Sequence, residues 1–153
     1  MAETIRQKVF DEIESLASQI LVANGYNYDI GNTVIMERSK FHYSMMPCMI
    51  LVPGLEVASK AYGNQVLTID WQGFGVVPIP EDRDMIPQVA NKVLGGMILG
   101  LIGQRLSNSV LEDRIYQQGG LSEYPDDGEV ALPVTIQFQV VYHTVLGDPF
   151  TKA

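Results

Sequence analysis

Residues able to do chemistry are few and scattered. The two histidines, His42 and His143, fall on different elements, and His143 sits on the polar side of an alternating run, where a solvated or hydrogen-bonded imidazole is the plain reading. Cys48 lies inside an apolar run, where a cysteine behaves as a small buried hydrophobe. As the only cysteine, it excludes an intrachain disulfide and a Cys-based zinc site. Asp70, beside Trp71, is a lone carboxylate, and general acid–base work needs a partner within hydrogen-bonding reach. The acidic run Glu123-Tyr124-Pro125-Asp126-Asp127-Gly128-Glu129 lacks the alternating ligands and closing bidentate Glu of a calcium loop, and Asp127-Gly128 is a turn dipeptide. Gly73-Phe74-Gly75 is not the dinucleotide fingerprint, and no Walker A sequence is present. The reading is therefore no catalytic residues, no cofactor and no metal.

Composition points the same way. The chain has 153 residues, 18 acidic against 10 basic, for a formal charge of −8. Phosphate recognition rests on Lys and Arg, so this balance argues against specific nucleic-acid binding. The length suits a single domain over 1–153, and 46% hydrophobic against 18% charged residues suits a globular core. The first residues lead into a charged amphipathic stretch rather than the basic start and apolar run of a signal peptide. The most apolar run, Val93 to Ile102, is ten residues long, against about 20 for a span, and charges flank it closely, so a buried helix is expected and no membrane partner.

Periodicity gives the elements. Ile5, Val9, Ile13, Leu16, Ala17 and Ile20 recur at three and four, predicting a helix from Thr4 to Ala23, with Thr4 and Gln7 at capping-box spacing and Asn24-Gly25 as its stop. Thr33–Met36 reads as a short strand. Pro47–Gly54 reads as a central strand buried on both faces. Gly63-Asn64 makes a turn, and Gln65–Gly73 then alternates, with Leu67, Ile69 and Trp71 on one side, and Gly73 and Gly75 suggest a bulge near its end. A second helix is expected from Asp82 or Asp84 to Leu106, with Pro87 in its first turn. Its Gly95, Gly96, Gly100 and Gly103 each disfavour helix by about 1 kcal/mol, which calls for close packing against a sheet or a neighbouring subunit. A strand near Leu111–Gln118, a turn at Gly119-Gly120 and a long strand from Ala131 to Val145 follow. The order helix, strands, helix, strands implies an α+β fold: one mostly antiparallel or mixed sheet with two helices on a single face.

What remains for function is surface. Phe41, Tyr43, Met45 and Met46 form an aromatic and methionine cluster of the kind enriched at interfaces, and equally able to fold back over the sheet. Gly96 and Gly100 form a small-xxx-small pair. Asp148 and Phe150, in the tail after Gly147, mark a second docking segment, unless that tail frays as termini often do.

The closing run Phe138-Gln139-Val140-Val141-Tyr142-His143-Thr144-Val145-Leu146-Gly147-Asp148-Pro149 follows Leu51-Val52-Pro53-Gly54-Leu55-Glu56 and Leu67-Thr68-Ile69-Asp70-Trp71-Gln72-Gly73. In this order and spacing the chain resembles the tail terminator proteins of long-tailed bacteriophages and prophages, similar to the minor tail protein U fold. The resemblance implies a non-enzymatic structural protein, part of the virion tail and assembled in the bacterial host cytoplasm. Such a protein forms a homo-oligomeric ring, commonly a hexamer, on the last ring of the tail tube protein; it ends tube polymerisation and offers a surface to the head–tail connector protein, with DNA passing through its pore. Other readings are a connector or tube subunit, and a small oligomeric α+β protein binding a ligand between subunits, with Trp71, Phe74 and the glycine-rich helix as pocket walls. An enzyme built on Asp70 and His143 is the remaining one.

Overall fold

In the computed structural model, which describes residues 2–153, one six-stranded sheet carries two helices on one face. The elements are α1 (Ile5–Ser18), β1 (Val34–Ile35), β2 (Cys48–Ala61), β3 (Asn64–Pro78), α2 (Ile86–Ile98), β4 (Asp113–Gly120), β5 (Ala131–Val145) and β6 (Asp148–Lys152). Strand order is β1-β2-β3-β5-β4, with β6 on the same side of β5 as β4. Among the described residues only β1 runs parallel to its neighbour, so the sheet is mixed and mostly antiparallel, the α+β arrangement that the element order implies.

The period-two pattern of β3 and β5 builds the core. Leu67, Ile69 and Trp71 face the helices beside Val134, Ile136, Phe138, Val140 and Tyr142, all buried. Trp71 lies between Phe10 of α1, edge-on at 4.9 Å, and Phe138, stacked at 6.2 Å. Pairs of this kind contribute about 0.5–1.5 kcal/mol beyond their burial.

The helices are shorter than the periodicity predicts. Thr4 Oγ1 accepts from the Gln7 amide at 3.1 Å, but the Gln7 side chain turns to Asp11 rather than closing the box. α1 stops at Ser18, not Ala23, because the returning chain takes over its last turn. The Gly31 amide donates to Ile20 O at 2.9 Å, and Val22 N donates to the Asp29 carboxylate at 2.7 Å. A 3-10 turn at Val22–Asn24 then ends on left-handed Gly25. α2 ends at Ile98 and widens into a π-turn over Leu99–Gly103, so the expected helix to Leu106 is also cut short. Arg83–Gly103 is long and apolar enough by length and composition to cross a membrane. Here Ile86, Ala90, Val93, Met97 and Leu101 are buried in the core, while Gln88, Asn91 and Lys92 face outward.

The expected bulge at Gly73 and Gly75 is absent: both sit in continuous register between β2 and β5. Their missing side chains make room instead. A Cβ on Gly75 would lie 2.7 Å from Val93 Cγ1, and one on Gly119 would lie 2.6 Å from Leu94 Cδ1. The strand glycines thus let α2 approach the sheet. Gly119 and Gly120 belong to the end of β4 rather than to a turn. The register breaks lie elsewhere, between Pro53 and Glu56 in β2 and between Tyr116 and Gln118 in β4.

Candidate functional site

The helix-free face of the sheet and its two edges are the surfaces this architecture leaves open. At one end of that face Cys48, Ile50, Phe74 and Val76 are covered by the chain before β2, with Phe41, Met45 and Met46 packed on them. Tyr43 is the exposed member of that cluster, edge-on to Phe41 at 5.8 Å. Arg38 lies over the Phe74 ring, 4.5 Å from its centre. Next comes a glutamine band: Gln72 pairs with Gln137, and Gln118 donates to Gln137 at 2.6 Å. Arg38, Phe74 and this band line an open cleft of about 470 Å³. Beyond the band come Asp70 and Gln139, then Val57, Thr68 and Val141 in one cross-strand row and Val66 with His143 in the next.

Among the described residues, both edges of the sheet are unpaired over much of their length. β1 covers only Met49 and Ile50 of β2. Past Pro53, β2 stays paired with β3 on one side and is bare on the other as far as a hairpin turn at Tyr62-Gly63, whose positive φ values of 49° and 80° give the turn geometry that matches strand twist. Leu55 is 84% exposed and Val57 65%. At the opposite edge β4 presents Ile115 and Tyr116, 43% and 37% exposed. The tail does not fray: β6 pairs with β5, the Asp148 carboxylate accepts from Phe150 N at 2.9 Å, and Phe150 stays exposed. A hydrogen bond with the Thr151 side chain first, then the one from Phe150 N, holds the Asp148 carboxyl below the usual range.

The residues that could do chemistry do not converge. Asp70 accepts from Gln139 Nε2 at 2.8 Å. His143 pairs with Val66, four residues along β5 from Gln139, or about 13 Å. His42 Nδ1 accepts from the Ser44 amide at 3.1 Å, which fixes a local turn. Cys48 is fully buried, and desolvation pushes its thiol up to about 11. Among the described residues no group of three His, Cys, Asp or Glu could hold a metal ion. Trp71 is buried in the core and the glycine-rich helix packs against Ile20 and Tyr26, so of the three proposed pocket walls Phe74 alone borders this cleft, beneath Arg38.

The glycine pair of the second helix is occupied within the chain. A Cβ on Gly100 would lie 2.5 Å from Ile20 Cγ1, and Gly96 sits beside Tyr26. The acidic loop folds against the start of α2: Arg83 donates to Pro125 O and lies 3.8 Å from Asp127, and Tyr124 donates to Arg83 O. These contacts hold the loop at the end of the sheet away from the β2–β3 turn.

The surface that sequence reasoning missed is the outer half of β2. Leu55 to Ala61 carries no clear alternation; the turn read at Gly63-Asn64, which falls at Tyr62-Gly63, was the signal that a strand should lead into it. No protein-family model matches the chain, and no curated protein matches it.

Proposed function

We propose that this protein is a structural subunit of a long bacteriophage or prophage tail, a tail terminator that self-assembles into a closed ring on the tail tube. The observation that supports this reading best is the pair of open edges on opposite sides of one rigid sheet, each showing apolar side chains to solvent. Folded domains usually blunt such edges. Here each edge is blunted only in part, by its bulge and by charges such as Lys60 and Arg114, and two such different edges on one body suit a head-to-tail contact, which closes into a ring when the rotation per copy divides a full turn. The sequence resemblance supplies the setting: tube protein on one side, head–tail connector on the other, DNA through the pore, all in the virion after assembly in the host cytoplasm.

Charge adds a condition. Six copies at −8 carry −48, so repulsion opposes closure. With a Debye length of about 8 Å at 0.15 M ionic strength, salt screens that repulsion and favours assembly. Negative-stain microscopy of the purified chain tests the reading. Uniform rings with a central hole are the expected result. Long tubes would move the assignment to a tube subunit, and compact dimers would favour a ligand-binding protein using the Arg38 cleft.

A further inference from the structure

We infer that the outer edge of β2 in one copy pairs antiparallel with the outer edge of β4 in the next, with Val57 opposite Ile115, so that the sheet continues from subunit to subunit. This rests on the ring reading above and specifies its contact.

Direction is the first argument. Across the sheet, β2, β3, β5 and β4 alternate in direction. A strand added outside β4 must run as β2 does to keep that alternation. A second copy, rotated about an axis roughly along the strands, presents its β2 in that direction and keeps its helices on the same side. Length is the second. Between the bulge and the hairpin turn, the bare edge of β2 spans Glu56 to Ala61. On β4, the run from Glu112, whose amide donates to Val141 O, to the bulge after Tyr116 is nearly equal. Each bulge ends the pairing at about the height of the glutamine band.

Side chains set the register. On the helix-free face β2 shows Val57 and Ser59, and β4 shows Asp113 and Ile115. On the helix face β2 shows Glu56, Ala58 and Lys60, and Glu112, Arg114 and Tyr116 answer them. With Val57 opposite Ile115, Ser59 meets Asp113 and Lys60 meets Glu112, while Glu56 lies diagonal to Arg114. These are an apolar pair, a hydroxyl–carboxylate pair and opposite charges, the combinations that favour cross-strand neighbours. A two-residue shift one way sets Lys60 against Arg114, and the other way sets Val57 against Asp113. A one-residue shift turns every side chain to the wrong face. Glu112 already lies 3.5 Å from Lys152 of its own chain, so Lys60 joins an existing pair at that edge.

The test mixes two full-length variants, Val57→Cys and Ile115→Cys, under mild oxidation in the salt that supports assembly. Cys48 is buried and stays in place, with unsubstituted protein as the control. Directly opposed residues have Cβ atoms about 4.5–5.5 Å apart, close enough for a disulfide after small adjustment. The expected product is a mixed dimer that neither variant forms alone; a chain carrying both substitutions should give a ladder ending at the ring size. Rings seen by microscopy with only 57–57 or 115–115 products, or none, would overturn this pairing and leave the ring intact. Material that sediments as monomer in every salt would overturn the ring and the pairing together. For the register, Lys60→Glu should raise the dissociation midpoint by about threefold to tenfold. Adding Glu112→Lys to the same chain should restore it. Failure to restore, with the circular dichroism unchanged, overturns the register.

Discussion

At the scale of single residues, the second helix separates two glycines that look alike in sequence. Gly95 faces open space, whereas Gly100 is pressed under Ile20. Gly95→Ala should therefore raise stability by about 0.5–1 kcal/mol through helix propensity. Gly100→Ala should lower it by about 1–3 kcal/mol, since buried Ile20 must move. Gly31 is tighter still: a Cβ there would lie 2.3 Å from Ala17 O, which is backbone and cannot step aside. Gly31→Ala should cost about 3 kcal/mol, read from urea midpoints against the parent chain. Two buried acids give the molecule an alkaline limit. Burial first, then the Glu56 hydrogen bond, raises the Tyr142 hydroxyl, and burial alone pushes the Cys48 thiol from 9.0 up to about 11. Both groups stay protonated in the fold when the unfolded chain has lost its protons. Their contribution is complete below pH 9 and falls as pH rises through the folded values. Cys48→Ala should flatten the loss of stability between pH 9 and 11, as measured by denaturation at a series of pH values.

At the scale of elements, Glu12 ties a loop to a helix. It is buried in α1, and its carboxylate accepts from Ser109 Oγ at 2.7 Å and Val110 N at 3.2 Å. Glu12→Gln keeps one acceptor and should cost about 1–2 kcal/mol, with faster amide exchange confined to residues near 109–111 and the start of β4. The long, regular elements were legible in the sequence because local periodicity and burial agree there: β5 alternates over its whole length, and α1 shows one apolar stripe. Helix ends were not, because long-range partners set them. Asp29 and Gly31 unwind the end of α1 from a distance in sequence that no pattern reveals. Glycine misled for the same reason. Gly73, Gly75 and Gly119 read as bulge or turn residues, yet each lies in a paired strand beneath a bulky neighbour: Ile136, Val93 and Leu94 respectively. Of the proposed interface residues, Phe41, Met45 and Met46 cover the sheet, Tyr43 and Phe150 remain exposed, and Gly100 is buried. The open edge of β2 escaped notice because an exposed strand without a buried face has no period to read.

At the scale of the whole molecule, a mixed sheet holds a helical layer on one side and leaves the other side and both edges open. On the function proposed above such a body acts through what it stacks against, and our central claim is that its first partner is itself. Because the charge opposes closure, assembly should strengthen from low salt to physiological salt, and magnesium should shift it further at equal ionic strength. Sedimentation equilibrium over a wide range of protein concentration, at low and at physiological salt, measures this directly. The account predicts one species of fixed mass, a whole multiple of 16.9 kDa, that dissociates as salt is withdrawn and does not grow as concentration rises. A monomer under every condition, or a mass that climbs without limit as protein is added, would contradict it.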